Sequence, residues 1–362
     1  MKIQAKQLLE GVTFLRKVVK RDSTLPILDT ICFDGKGMHG TNLETEVSFL
    51  CHHDIEGCVD AVALHRLLKS ISGTGMIEVV SINANDRLVV RWTGGEASLK
   101  IHYKSEEFPF FGNRGFSDND EFRPYAMNVG RRAIETALRF TGKDELRPVM
   151  SGVFIGHHIV ATDAHRLYMT DDFHQLVTPV EDPNKSEGHI IPKSAAVCLS
   201  GQGVFDMDVT EQLIARAFIS DTCRVTWRCI DGRYPRYMSV IPTEQPLIVE
   251  VDTKEFKAAV EVALSMAHHF THQGKFHFKV GGDVTISSED DEMGTGTSVS
   301  IPSKTVHFDE GMFGMNIGFN CVLLKHLLHS VKEKTLTISI KAPNTAVLFN
   351  EDFMLMPVML ND

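Results

Sequence analysis

Read three times along the chain, one order of elements recurs: a long amphipathic helix, strand-like alternation, a shorter helix, then a β-branched run. The long helices are expected at Ala5–Arg21, Asn128–Lys143 and Asp252–Ala267. In the first, Leu8, Leu9, Val12, Leu15 and Val19 form the apolar stripe, and Lys6, Glu10, Thr13, Lys17 and Arg21 lie opposite. The shorter helices are expected at Ala61–Ile71, Pro192–Ser200 and Phe319–Lys332, followed by strands over Ile77–Ile82, Val204–Val209 and Leu336–Ile340. Pro109, Pro235 and Pro357 each close a copy and are spaced by 126 and 122 residues in a chain of 362. Thr41, Thr162 and Ser288 head comparable short segments. Residue identity between the copies is weak, so the repeat is one of pattern. It predicts an α+β chain of three like-folded domains with antiparallel sheets, spanning 1–122, 123–247 and 248–362. Linkers are expected near Phe116–Pro124 and Pro242–Pro246.

A hydrophobic content of 43% supports several cores of this kind. The seven cysteines are scattered, with no CxxC pair, which suits reduced thiols in a cytoplasmic protein. The N-terminus has no apolar h-region, and no uninterrupted apolar run reaches membrane-spanning length.

The net charge of −10 first argues against a nucleic-acid partner. The repeat changes that inference. The six helix windows hold 16 Lys and Arg against 5 Asp and Glu, so they carry +11 and the remainder −21. Glu forms helices as well as Lys does, so helix propensity does not account for the excess. A basic helical set with acidic surroundings fits a polyanion held through its phosphates without reading of base sequence.

Several motifs are set aside. Gly35–Gly40 matches GxGxxG, but a strand pattern follows it where a nucleotide site needs a helix. There is no GxxxxGK[ST], GxSxG or HExxH. His268, His269 and His272 cluster without a nearby Cys, and no metal or cofactor is expected. An enzyme using Asp163, His165 and Arg166 is the competing reading, but nothing supplies a nucleophile with an orienting base.

The segments Thr24–Leu28 (TLPIL), Leu146–Val153 (LRPVMSGV), Ala161–Leu167 (ATDAHRL), Ile230–Pro235 (IDGRYP) and Met356–Leu360 (MPVML) together resemble the bacterial DNA sliding clamp, the β subunit of DNA polymerase III. The resemblance spans essentially the whole chain. It implies a non-catalytic processivity factor for DNA replication: a head-to-tail homodimer forming a ring of six domains, helices lining the hole, with duplex DNA threaded through. Partners implied are the replicative polymerase, the clamp-loader ATPase, repair polymerases and mismatch-repair proteins. On that plan the DNA-facing cations are Arg16, Lys17, Lys20, Arg21, Arg66, Lys69, Arg131, Arg139, Lys193, Lys257, Lys325 and Lys332.

The resemblance also implies a partner-peptide cleft between the second and third domains. It comprises Met150, Thr162, Ala164, His165, Arg166, Leu167, Pro235, Val240, Met354, Leu355, Met356, Pro357, Val358 and Met359. The methionines suit a surface that accepts several partners. Three departures from the family pattern stand out: Ala164 stands where Gly is usual, and the family usually has a basic residue near Ser239 and one near Met359. Asn361 and Asp362 extend beyond the family's usual end. The subunit contact is expected between Ser98, Lys100 and Lys104 of one copy and His268, His269, Phe270, Glu289, Asp290, Asp291 and Glu292 of the other.

Overall fold

The protein is described by a computed structural model over residues 1–82, 86–111, 125–170, 175–176 and 188–360. The expected linker at Phe116–Pro124 and the terminal Asn361–Asp362 lie outside the described residues. Pro242–Pro246 is described and has neither helix nor strand.

In the first third, β1 (Lys2–Gln4) runs straight into α1 (Ala5–Leu15). Then come β2 (Thr30–Asp34), β3 (Gly37–Thr41), β4 (Thr45–Leu50) and β5 (Glu56–Asp60). Next are α2 (Ala61–Ile71), β6 (Met76–Ile82), β7 (Arg87–Trp92) and β8 (Gly95–Tyr103). The middle third opens with β9 (Ala126–Gly130) and α3 (Arg131–Ala137), followed by β10 (Val153–Ile155), β11 (Ile159–Thr162) and β12 (Arg166–Thr170). It continues with β13 (Gln175–Leu176), β14 (His189–Ile191), α4 (Lys193–Leu199), β15 (Val204–Val209), β16 (Ile214–Ser220) and β17 (Cys223–Arg228). The last third has β18 (Leu247–Asp252), α5 (Thr253–Met266), β19 (Gln273–Lys279), β20 (Val284–Asp290), β21 (Thr295–Ile301) and β22 (Ser303–Phe308). It ends with β23 (Gly314–Asn320), α6 (Cys321–Leu328), β24 (Thr335–Ile340), β25 (Val347–Phe349) and β26 (Phe353–Leu355).

The pattern read from the sequence reappears as topology. Every described helix follows a strand with at most one residue between them. In each third the strand entering the first helix pairs antiparallel with the strand leaving the second: β1 with β6, β9 with β15, β18 with β24. The two helices of each third pack on one another. Polar side chains cap several of the starts. Asp60 accepts from the Ala63 N–H, Asp252 from Lys254 and Glu255, and Asn320 from Val322 and Leu323.

Three helices are shorter than their windows. The first stops at Leu15, where the Lys17 and Val18 N–H groups turn to the carbonyls three residues back, and Asp22 takes a left-handed φ of 60°. The second long helix stops at Ala137, and beyond it the Gly142 N–H bonds to Met150 O. The last stops at Leu328. Nine Lys and Arg then remain inside helices against four Asp and Glu. Arg16, Lys17, Lys20 and Arg21, with Arg139, Lys143 and Lys332, instead follow helix C-termini, where a cation meets the negative end of the helix dipole.

By contacts the chain divides into two compact units. Of the described residues, the first comprises those within 1–138, 175–176 and 188–232, and the second those within 139–170 and 233–360. The middle third therefore contributes its helices to one unit and β10–β12 to the other. The first unit holds an antiparallel sheet in the order β1-β6-β7-β8-β5-β2-β3-β4-β17-β16-β15-β9-β13. The second holds β10-β11-β12-β26-β25-β24-β18-β22 and a separate sheet β21-β20-β19-β23. Phe256, Phe276, Phe319 and Phe349 form a chain of ring contacts in the core of the second unit.

One polar network is buried in the first unit. His39 on β3 lies 3.2 Å from Asp34 through Nε2, and its Nδ1 is 3.0 Å from Ser48 Oγ. Ser48 donates to Glu46, whose other oxygen accepts the Phe111 N–H. The Ser–His–Asp order superficially matches a hydrolase triad. Ser48 and His39 are buried, however, so no substrate reaches the hydroxyl. The network instead pins the Phe110–Phe111 segment, with His39 edge-on to Phe110. Burial pulls the His39 imidazole down, but hydrogen bonds and charge from Asp34 and Glu46 outweigh it, and its pKa ends above the ordinary value. Burial would raise Asp34, yet His39 and the N–H groups of Lys36 and Gly37 hold it well below the usual carboxylate range.

The His39 contribution is thus full below its unfolded pKa of about 6.5 and fades as pH rises through the higher folded value. That of Asp34 is full above its unfolded pKa of about 3.9 and fades as pH falls toward the lower folded value. The gap between the urea midpoints of wild type and His39→Gln should be constant from about pH 4.5 to 5.5 and narrow as pH rises past about 6.5. A gap that does not change up to pH 9 would mean that folding leaves the His39 pKa where it is in the unfolded chain.

Candidate functional site

The sequence-expected cleft residues all fall in the second unit. Thr162 ends β11, Arg166 and Leu167 begin β12, and Met354 and Leu355 lie on β26, three adjacent strands with Arg166 opposite Leu355. The Met356 N–H then donates to His165 O at 2.9 Å, carrying Met356 and Pro357 past the β11–β12 turn. Val358 bridges to Gly318. Pro235 precedes a short 3-10 turn over Tyr237–Val240, which Val240 ends. That turn is held against β10 by a stacked Phe154–Tyr234 pair at 4.8 Å and a 2.9 Å hydrogen bond between His158 Nδ1 and the Tyr237 hydroxyl. Met150 is buried on a single turn over Pro148–Met150.

The β11–β12 turn is built by its own sequence. Asp163 Oδ1 accepts the N–H groups of His165 and Arg166 at 3.0 and 2.7 Å, and Thr162 Oγ1 donates to Arg166 O at 2.7 Å. Asn42 and Thr41 do the same between β3 and β4, accepting from Glu44 and Thr45 and donating to Thr45 O. Leu43 and Ala164 occupy matching left-handed positions, φ 71° and 74°. In the last third the register shifts. Asp290 takes the aspartate role, accepting from Glu292 and Met293, while Ser288 donates to Ala263 O. Ser288 is therefore not the counterpart of Thr41 and Thr162.

This chemistry bears on two expectations about the turn. The Arg166 guanidinium is buried, pairs with Asp163 Oδ2 at 2.7 Å, lies over the Phe140 ring and reaches Arg139 O. It braces the β11–β12 turn from beneath, with little of its surface exposed. The same pairing occupies Asp163, which removes the proposed Asp163–His165–Arg166 catalytic set. His165 and Ala164 remain exposed on the turn. Met356 and Met359 are exposed, the latter by 75%, as is Val240. Sequence reasoning passed over Leu146, 91% exposed, and Met238, 44% exposed. Both sit inside or beside segments that carry the resemblance, and an apolar residue in a polar turn was the available signal.

The expected DNA-facing cations divide by environment. Arg66, Lys69 and Lys193 are exposed on helices, and Arg16, Lys20, Arg21 and Lys332 lie beyond helix ends, with Arg16 half-buried and the others exposed. Arg139 is exposed just past α3. Arg131 is different. Its Nε, Nη1 and Nη2 donate to the carbonyls of Leu199, Gln202 and Ser200 at 2.8, 3.0 and 2.8 Å, which staples α3 to the end of α4. Lys257 donates to Val331 O at 2.9 Å and Lys325 pairs with Glu261 at 3.1 Å, both between α5 and α6. Lys17 donates to Val197 O at 3.2 Å and covers Phe14, while staying exposed. Arg131 and Lys257 are thus structural first. Asp290, expected at a subunit contact, is likewise buried within its turn.

No family model matches the chain. The beta sliding clamp of Caulobacter vibrioides is 23% identical over 343 residues, covering 88% of this chain and 87% of the relative. That of Bacillus subtilis is 25% identical over 320 residues, 81% of each. Among solved structures, a Pseudomonas aeruginosa sliding clamp bound to griselimycin matches with TM-score 0.81 at 20% identity, over 99% of both chains. The Bacillus subtilis DNA polymerase sliding clamp matches with TM-score 0.80 at 20% identity, also over 99% of both. The chain has the β sliding clamp fold. The resemblance read from the five short segments therefore extends through the whole architecture, and the expected α+β class with its threefold repeat of helix pairs stands.

Ala164 sits where a Cβ opposes the left-handed backbone, so Ala164→Gly should raise stability by up to about 1 kcal/mol, read by thermal unfolding. Asp163→Ala strips the buried Arg166 of its counter-charge and should cost about 3 kcal/mol or more. Unchanged stability in Asp163→Ala would mean that the pair does not brace this turn.

Proposed function

We propose that this chain is a DNA sliding clamp, a ring-shaped homodimer that encircles duplex DNA and tethers the replicative polymerase. It is a non-catalytic subunit. The observation that carries the reading is a pair of strand edges left over by the internal repeat. The first and middle thirds join through β4 and β17, the middle and last through β12 and β26. Each joint pairs the strand after the β-turn of one third with the third strand after the second helix of the next. By the same rule β21 should pair with β8, yet no described residue makes that pairing. Among the described residues β21 pairs only with β20, and residues 95–100 of β8 pair only with β7. Two open, complementary edges on one chain favour closure with a second copy, head to tail.

Three domains, 1–122, 123–247 and 248–362, follow from this scheme. The exposed cations Lys20, Arg21, Arg66, Lys69, Arg139, Lys193 and Lys332, with the half-buried Arg16, would face the threaded phosphates, with Lys17 and Lys325 in support. The acidic balance of the remainder disfavours DNA on the outside. The cleft residues would receive short peptides from the polymerase, the clamp-loader ATPase and repair proteins. With Ser239 and Met359 near where the family usually has basic residues, and Met238, Val240 and Met356 exposed, apolar contacts would dominate there. No described helix is long and apolar enough to cross a membrane, and the ring would act in the cytoplasm, where replication takes place.

The protein loaded onto nicked circular DNA should be released when the circle is linearised; retention on the linear product would refute a topological hold. Sedimentation should give twice the chain mass of 40.4 kDa, and a monomer at micromolar concentration would count against edge pairing. Removing residues 356–362 should abolish binding of a polymerase-derived peptide and leave the dimer intact; unchanged affinity would contradict the cleft assignment.

A further inference from the structure

The histidine cluster after α5 acquires in the fold the partner it lacks in the sequence. Candidate ligand atoms of His268, His269 and Glu292 all lie within 4.8 Å of one another, with His268 Nε2 and Glu292 Oε1 3.9 Å apart. We propose that these three side chains form a divalent transition-metal site, best suited to zinc, with solvent in the remaining position. Two imidazoles and one carboxylate are a zinc-type donor set. A 3.9 Å separation is too long for a hydrogen bond. It is close to the roughly 3.3 Å between ligand atoms around a tetrahedral zinc with bonds of about 2.0–2.1 Å, so small side-chain rotations close the difference.

The donors come from two anchored elements. The His268 carbonyl accepts the His272 N–H at 2.8 Å, and the His272 carbonyl accepts from Cys321, which ties the histidine turn to α6. On the other side, buried Asp290 holds the N–H groups of Glu292 and Met293 at 3.1 Å and fixes the β20–β21 turn. Between them lies a cavity of about 580 Å³ whose lining includes Glu289, Asp291 and Glu292 against one cation, Lys275. That imbalance favours a bound cation. His268 Nδ1 accepts a long 3.3 Å contact from the Phe270 N–H. Ligation through Nε2 puts the proton on Nδ1 and releases this exposed N–H to water. All three donors come from one chain, although His268, His269 and Glu292 also stand among the residues expected at the subunit contact.

The full chain, stripped with a chelator, should bind one zinc ion per chain in calorimetric titration with zinc chloride. His269→Ala and Glu292→Gln, both at exposed positions, should each lose that ion while keeping the wild-type circular dichroism spectrum. His307→Ala, which removes a second exposed histidine paired with a carboxylate, should retain it. Absence of stoichiometric zinc in the wild type, or its retention in both ligand variants, would overturn the site.

Discussion

Antiparallel strand pairing across the joints between thirds is the interaction on which the rest of the structure depends. A sheet edge exposes a row of N–H and carbonyl groups that must find partners in protein or water. Here β4 finds β17 and β12 finds β26, so each joint is a continuation of a sheet, with backbone hydrogen bonds where a flexible linker could have stood. The geometry of the first two joints defines what the last edges need. The chain satisfies its own edges twice by one rule, and among the described residues β21 and the start of β8 are left open, which is the ground for the proposed self-association.

The charge pattern follows from how the helices are made. Each helix starts at the end of a strand, with at most one residue between them. Cations stand after Leu15, Ala137 and Leu328, beyond helix C-termini where the dipole is negative. A minority turn inward. Arg131 spans three carbonyls at the end of α4, and Lys257 one after α6, because two short helices packed side by side leave those acceptors without intrahelical donors. Cations therefore close helix ends in one place and stay exposed in another.

The cleft combines a rigid floor with an adaptable rim. The Asp163–Arg166 pair and the Phe140, Tyr168 and Phe353 rings beneath it fix the β11–β12 turn. The exposed Met356, Met359, Met238 and Val240 supply soft apolar contact around it. For the proposed peptide partners, a fixed backbone under an adaptable contact surface would limit the ordering cost of binding and admit several sequences.

Much of this was legible in the chain. The 3.6-residue periodicity placed all six helices, and α2 at its observed bounds, because an amphipathic stripe reports which face is buried wherever the helix lies. The spacing of Thr41 and Thr162 announced a repeated turn, since short-range side-chain bonds to the backbone depend only on neighbours in sequence. Helix ends were overestimated at α1, α3 and α6, where tertiary bonds such as Gly142 to Met150 stop a periodicity that the sequence continues. The roles of Arg131 and Arg166 could not be read, because a cation at a helix start or in a turn looks the same whether it faces solvent or three carbonyls. The nearness of Glu292 to His268 and His269 likewise exists only once β20 and β21 are folded against α5. Local periodicity and turn chemistry thus belong to the sequence alone. Which charged groups are spent internally and which remain for a partner is set by long-range packing, and the tertiary structure alone decides it.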